Sequence, residues 1–261
     1  MTNILDSLDY GERGRVLIVE DATALARAAA ELVIATVHDA VDRDGDATIA
    51  LSGGSTPKEM GRLLAQESYR ERLPWENVHV FWGDERWVPL ESPENNAGEA
   101  KRAYLDSVGI PAANVHPFQT VGITPEQSAT QYEADVRSVV HNGTEGVPAF
   151  DLVLLGMCDD GHTASLFPGT AAIHEKERLV VSHEVPKLNA TRLTMTPPLL
   201  NAGLNVVFLA AGAGKAERLA EVLDGPVDVD QLPSQVVRPK GGPTWIVDRA
   251  AAASLAKLNP R

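Results

Sequence analysis

The feature that most constrains this chain is the alternation of two hydrophobic periods along it. Short apolar runs of strand length recur, and most are followed by a stretch with helical spacing. Residues 16–19 read as a buried strand. Asp21 or Thr23 then caps a helix with Leu25, Ala28, Ala29, Leu32, Val33 and Val37 on one face. Further strands are expected at 47–51, 78–82, 151–155, 179–181, 192–196, 205–210 and 244–247. Pro57 suits the first position of a helix over 58–67, because its missing N–H costs nothing there. Thr124-Pro125-Glu126-Gln127 is a capping box opening a helix with Ala129, Tyr132, Val136 and Val139 on one face. A helix over 215–223 stops at Gly225, and an Ala-rich helix closes the chain. This order predicts an α/β fold with a mainly parallel sheet covered by helices on both faces.

No internal repeat or low-complexity tract interrupts the pattern. The loops at 41–46, 88–98, 141–149 and 225–243 are rich in Gly, Pro and charge, yet each is short for an interdomain linker. Residues 1–261 are therefore read as a single domain.

Composition narrows the partners. With 23 basic and 36 acidic residues the net charge is −13, which argues against a nucleic-acid backbone or an anionic membrane as partner. An anionic substrate then needs a local cluster of cations. The single cysteine, Cys158, excludes an intramolecular disulfide and a Cys-rich zinc module, and suits a reducing compartment. Residues 1–15 contain no apolar leader, and no apolar run reaches the ~18 residues of a membrane span. A cytoplasmic location is the expectation, and no obligate protein partner is implied.

Four segments at strand ends carry chemistry, because ligands of open α/β sheets gather there. Ser52-Gly53-Gly54-Ser55-Thr56-Pro57 combines a tight glycine turn, two hydroxyls and a helix start, which is a natural phosphate cradle. It reads equally as a capped strand-to-helix turn, and it matches neither a P-loop nor a dinucleotide fingerprint. In Gly83-Asp84-Glu85-Arg86, Arg86 suits a bidentate phosphate contact, with Asp84 or Glu85 orienting it or meeting sugar hydroxyls. The bland alternative is a solvated loop with local ion pairs. Asn95 and Asn96 fit hydroxyl recognition or turn chemistry alike.

The third segment runs from Leu155 to Gly169 and contains Asp160-Gly161-His162. His162 is placed as a general base, with Asp160 near enough to orient its ring. His79 reads as a packed strand residue, and the remaining histidines lack a supporting constellation. No metal-binding pair is present, so neither metal nor cofactor is expected. Cys158, four residues before His162, is read as a small inert side chain rather than a nucleophile. The fourth segment is Gly212-Ala213-Gly214-Lys215, where Lys215 at a helix start opposes the helix dipole and an anionic ligand would compensate. Arg192 is a further candidate cation.

Together these motifs, in this order and spacing, resemble the 6-phosphogluconolactonases of the glucosamine-6-phosphate isomerase superfamily. The likeness covers residues from about 20 to 250. It implies a Rossmann-like fold and cofactor-free opening of 6-phospho-D-glucono-1,5-lactone to 6-phospho-D-gluconate, the second step of the oxidative pentose phosphate pathway. By resemblance, His162 activates water, while the Ser55/Thr56 loop, Arg86, Lys215 and, less directly, Arg192 hold the phosphate. The family's usual Gly-Met-Gly is here Gly156-Met157-Cys158, so Cys158 would be strained if a positive φ were needed there.

Two rivals stand beside this reading. An amino-sugar phosphate deaminase/isomerase resembles it at the glycine loop and Asp-Gly-His, but carries Asn-Glu-Pro where this chain has Leu166-Phe167-Pro168. It also carries Asp-Glu-Tyr where Asp84-Glu85-Arg86 stands. A sugar-phosphate-binding regulatory module needs a DNA-binding unit that the short acidic N-terminus does not supply.

Overall fold

The computed structural model describes residues 4–258. Met1–Asn3, at the start of the segment read above as free of an apolar leader, and the last three residues lie outside it. The chain forms β1 (Asp6–Asp9), β2 (Arg15–Val19), α1 (Ala22–Asp44), β3 (Ala47–Leu51), α2 (Ser55–Leu64), α3 (Glu67–Arg70), β4 (Val78–Trp82) and β5 (Asp84–Arg86). There follow α4 (Asn96–Ala103), α5 (Pro125–Val139), β6 (Leu152–Gly156), β7 (Val180–Val185), β8 (Ala190–Met195), α6 (Pro197–Ala202), β9 (Val206–Ala210), α7 (Ala216–Asp224), β10 (Thr244–Asp248) and α8 (Arg249–Ala252).

Seven strands form the main sheet in the order β1-β2-β10-β9-β6-β3-β4. All its pairings are parallel except β1 with β2. The central strands β3 and β9 are buried at every residue, as expected where both faces are covered. β1 is polar and largely exposed, which suits an edge. α1 packs its Leu25, Ala28, Ala29, Val33 and Val37 face inward, with Asp21 accepting the Ala24 N–H at 2.8 Å and Gly45 ending the helix in the left-handed region. Trp245 stacks on Phe208 with ring centroids 3.9 Å apart. Burying each such side chain contributes roughly 1.5–3 kcal/mol. No helix of the described residues is long and apolar enough to cross a membrane.

The chain departs from the sequence reading in its second sheet. β5, β8 and β7 form a three-stranded antiparallel sheet, so the charged run after Trp82 is itself a strand. Gly83 is where the chain passes between sheets: its N–H donates to Leu51 of the large sheet at 2.9 Å, and its carbonyl accepts from Met195 of the small one at 2.8 Å. α2 begins at Ser55, two residues before Pro57, and ends at Leu64. The loop read over 88–98 gives way to α4, and the terminal Ala-rich helix is a single turn. The capping box at Thr124 and Gln127 forms as expected, with both reciprocal bonds present.

Topology places a crevice between β3 and β6. From β3 the chain moves outward to β4, whereas after β6 it passes through β7 and β8 of the small sheet and returns to the main sheet as β9, on the other side of β6. Loops leaving the carboxyl ends of such strands diverge and leave room for a ligand.

Candidate active site

A cavity of about 520 Å³ occupies this crevice, lined where β3, β6 and β9 end by Ser52, Met157 and Ala211. Of the residues singled out above, Gly53, Gly54, Ser55, Thr56, Asp84, Arg86, Asn96, Asp160, His162, Arg192 and Lys215 line it, whereas Glu85 and Asn95 do not.

The glycine turn is built for two different reasons. Gly54 has φ 105°, which only glycine adopts without strain, and it precedes the first residue of α2. A Cβ at Gly53 would fall 2.0 Å from Asn96 Oδ1, so Gly53 is required for close approach. The first-turn N–H groups of Ser55 and Thr56 have no acceptor within the helix and belong to its positive end.

Asn96 and Asn95 separate in role. Asn95 is buried and caps α4 by accepting the Gly98 N–H at 2.8 Å, so the turn-chemistry reading holds for it. Asn96 faces Gly53 and donates to the Asp84 carbonyl at 3.0 Å. Asp84 Oδ2 accepts the Ser165 hydroxyl at 2.6 Å, tying β5 to the His162 loop.

Glu85, left between two roles by the sequence, is fully buried. Its carboxylate accepts N–H bonds from Arg86 at 2.8 Å, Asn96 at 2.7 Å and Ala97 at 2.9 Å, capping α4 from outside. Burial pushes its pKa up to about 7, with the Asp84 charge adding and the three N–H donors opposing. A carboxyl whose pKa rises on folding is penalised by ionisation, so its contribution to stability falls as pH rises from about 4.5 through about 7. Glu85→Gln turns an amide N–H toward a backbone donor and should cost about 1–3 kcal/mol at pH 5. Because the variant does not ionise, that deficit should shrink by pH 8. Denaturant unfolding at the two pH values checks this, and a pH-independent deficit would contradict it.

Arg86 and Arg192 stand directly opposite each other in the β5–β8 register and therefore share a face. Among the described residues neither forms an ion pair: Arg86 Nη1 donates to the Glu94 carbonyl at 2.6 Å, and Arg192 Nη1 to the Thr191 carbonyl at 3.3 Å. Burial, then the charge of Arg86, lowers the pKa of Arg192. Lys215 precedes α7, and its Nζ lies 2.5 Å from Asp159 Oδ1, so the anion offsetting the helix dipole here is Asp159.

His162 is largely buried against Phe167, with ring centroids 4.0 Å apart. Its Nδ1 lies 2.5 Å from Asp160 Oδ1. Since a carboxylate only accepts, Nδ1–H donates, and in the neutral ring Nε2 carries the free lone pair. Burial works against ionisation of Asp160, but the bonds and charge of His162 and the bond from Lys187 outweigh it and bring its pKa down to about 2. The turn beyond is strained: Ala164 has φ 48°. It is held by Thr163 Oγ1 bonding the Gly156 carbonyl at 2.8 Å, and by Ser165, whose carbonyl accepts from His183 Nε2 at 2.8 Å.

Cys158 does not occupy the left-handed region, so the substitution of the usual glycine brings no backbone strain; Gly161, at φ 80°, makes the turn instead. Its thiol pKa is pushed up to about 11, chiefly by burial of the sulfur, although the residue as a whole is exposed at the cavity wall. Thiolate is thus scarce at neutral pH. His79, read as a packed strand residue, is half-buried at the amino end of β4 and bonds His116 at 3.0 Å. Sequence reasoning passed over Lys187, His183 and Ser165. Only Ser165 had a signal, lying three residues beyond His162 in the same segment; the other two reach the loop from a distant hairpin. No group of three or more His, Cys, Asp or Glu among the described residues is arranged to hold a metal.

Comparison with known proteins agrees with this architecture. The family model for glucosamine-6-phosphate isomerases/6-phosphogluconolactonase matches residues 20–246. A 6-phosphogluconolactonase of Synechocystis is 44% identical over 85% of this chain and 90% of its own length. One from Nostoc is 41% identical over 92% and 98%. The solved 6-phosphogluconolactonase from Trypanosoma cruzi superposes with a TM-score of 0.80 at 29% identity, covering 95% of this chain and 98% of that one. On the extent of these matches, the chain belongs to the glucosamine-6-phosphate isomerase/6-phosphogluconolactonase family.

Proposed function

We propose that this chain hydrolyses 6-phospho-D-glucono-1,5-lactone to 6-phospho-D-gluconate. The observation that carries the mechanism is the Asp160–His162 pair in one cavity with the opposed Arg86 and Arg192. His162 Nε2 takes a proton from water as its oxygen attacks the lactone carbonyl. The tetrahedral oxyanion collapses, the bond to the ring oxygen breaks, and that oxygen takes the proton back from the imidazolium. The new carboxylic acid then ionises. A lactone is an activated ester, so one imidazole suffices and no covalent intermediate is needed.

Asp160 fixes the tautomer. Ser55 and Thr56 at the start of α2, with Arg86, Arg192 and Lys215, take the phosphate; Gly53 and Gly54 shape that turn, and Asp84 and Asn96 hold the wall beside it. The single cysteine supports a cytoplasmic setting, and we read the whole chain as one domain. The −13 net charge speaks against nucleic acid as a partner.

Phe167 weighs against the deaminase/isomerase reading. It packs an apolar ring on His162 at the place where that rival carries a glutamate. The test offers freshly generated lactone and glucosamine 6-phosphate side by side. Accelerated acid release from the first with no ammonia from the second is expected; ammonia release would overturn the assignment.

A further inference from the structure

The antiparallel hairpin of β7 and β8 grips the His162 loop at two levels. Along its strands, His183 Nε2 donates to the Ser165 carbonyl at 2.8 Å, and Thr194 Oγ1 accepts the Ser165 N–H at 3.3 Å. At its tip, the turn Pro186–Leu188 is closed by Asn189 in the left-handed region, and Lys187 and Leu188 reach the cavity wall. There Lys187 Nζ lies 3.0 Å from Asp160 Oδ2, while the other oxygen of the same carboxylate holds His162 Nδ1 at 2.5 Å. The three side chains grow steadily less exposed along this line, at 69% for Lys187, 28% for Asp160 and 12% for His162.

We infer that Lys187 is a positioning residue for His162, acting through Asp160. A carboxylate bonded at one oxygen only can rotate about its terminal torsion or exchange its oxygens. With Oδ2 held by an ammonium, Oδ1 stays aimed at Nδ1, and the imidazole keeps the tautomer that presents Nε2 as acceptor. An exposed ion pair contributes little to folding, about 0–1 kcal/mol, so the effect of this one is on orientation. The hairpin tip thereby couples an otherwise remote segment to the catalytic ring. Both oxygens of Asp160 are satisfied by protein groups, without any contribution from substrate.

The inference rests on His162 being the base, and the experiment separates the two. Lys187→Met keeps the aliphatic stem and removes the charge. It should lower kcat roughly 5-fold, the kinetic equivalent of about 1 kcal/mol, with KM changed by less than about 2-fold. Lys187→Arg should recover most of the loss. Side-chain nitrogen NMR of His162 should show a smaller Nδ1–H tautomer fraction in Lys187→Met, and no further change when Lys187→Met is added to Asp160→Asn. A raised KM with unchanged kcat would make Lys187 a substrate contact and overturn the inference, as would wild-type kcat and tautomer ratio. An equal tautomer shift in the Asp160→Asn background would show that Lys187 does not act through Asp160. Were His162→Ala to retain turnover, the base assignment itself would fall, whatever Lys187 does.

Discussion

His162→Ala is expected to lower kcat for lactone opening by about 10²–10⁴-fold, the usual contribution of a positioned general base, and to leave KM within a few-fold of wild type. With Nδ1–H committed to Asp160, the lone pair on Nε2 is the ring's one remaining acceptor. No neighbour is fitted to replace it. Cys158 has its thiol pKa pushed up to about 11, and Asp160, held at about 2, is too weak a base and already occupied on both oxygens. The phosphate contacts assigned above lie on other elements and survive the substitution, which is why binding should persist. The lactone opens spontaneously, so rates must be read above the uncatalysed background. Loss of the packing on Phe167 is controlled by His162→Gln, which restores bulk without a base and should be equally slow. Turnover near wild type in a folded His162→Ala protein would sink the mechanism.

Why the proposed base was legible in the sequence and its supports were not follows from the range of the contacts involved. Asp160 and His162 are two residues apart, and a glycine turn at a strand end suffices to join them. The same locality made the Thr124 capping box and the strand at 78–82 readable. Lys187 reaches Asp160 across 27 residues, and His183 reaches Ser165 across 18; a lysine in a turn and a histidine in a half-exposed strand look ordinary in isolation. The strand Asp84–Arg86 was obscured for a related reason. Its hydrogen-bond partners lie in β8, more than a hundred residues on, and tertiary pairing overrides the poor strand propensity of three charged residues. Glu85 completes the case: a glutamate between two charges reads as solvated, yet it is buried because α4 supplies backbone donors that the sequence gives no reason to expect there.

The largest effect on binding is expected from Arg86→Ala. Arg86 and Arg192 face each other from paired strands and, among the described residues, neither forms an ion pair; burial and then the charge of Arg86 lower the pKa of the half-buried Arg192, against the opposing pull of Asp84, Glu94 and Glu85. A folded protein carries such a pair at a cost to its stability, which a bound phosphate dianion relieves. The anion should therefore gain a charge-assisted bond and abolish a repulsion at once. Removing Arg86 should raise KM by about 10–100-fold, the range of 1.5–3 kcal/mol for bonds to charged groups, with kcat nearly unchanged because the phosphate is remote from the reacting carbonyl. Unlike most truncations, it should not lower the melting temperature, since one repelling charge is gone. Lys215→Ala should act in the same direction but less, by roughly 10-fold, because Lys215 already pairs with Asp159 and must share its charge. Raised ionic strength should weaken wild-type binding more than binding by either variant. Steady-state kinetics with the lactone, and competition by inorganic phosphate, measure all of this; wild-type KM in both variants would remove the phosphate from this corner of the cavity. The −13 charge of the chain, which argues against every extended anionic partner, is then compatible with a small anionic one. The guanidinium groups of Arg86 and Arg192 and the first turn of α2 are the groups expected to reverse the local sign over the span of a single phosphate.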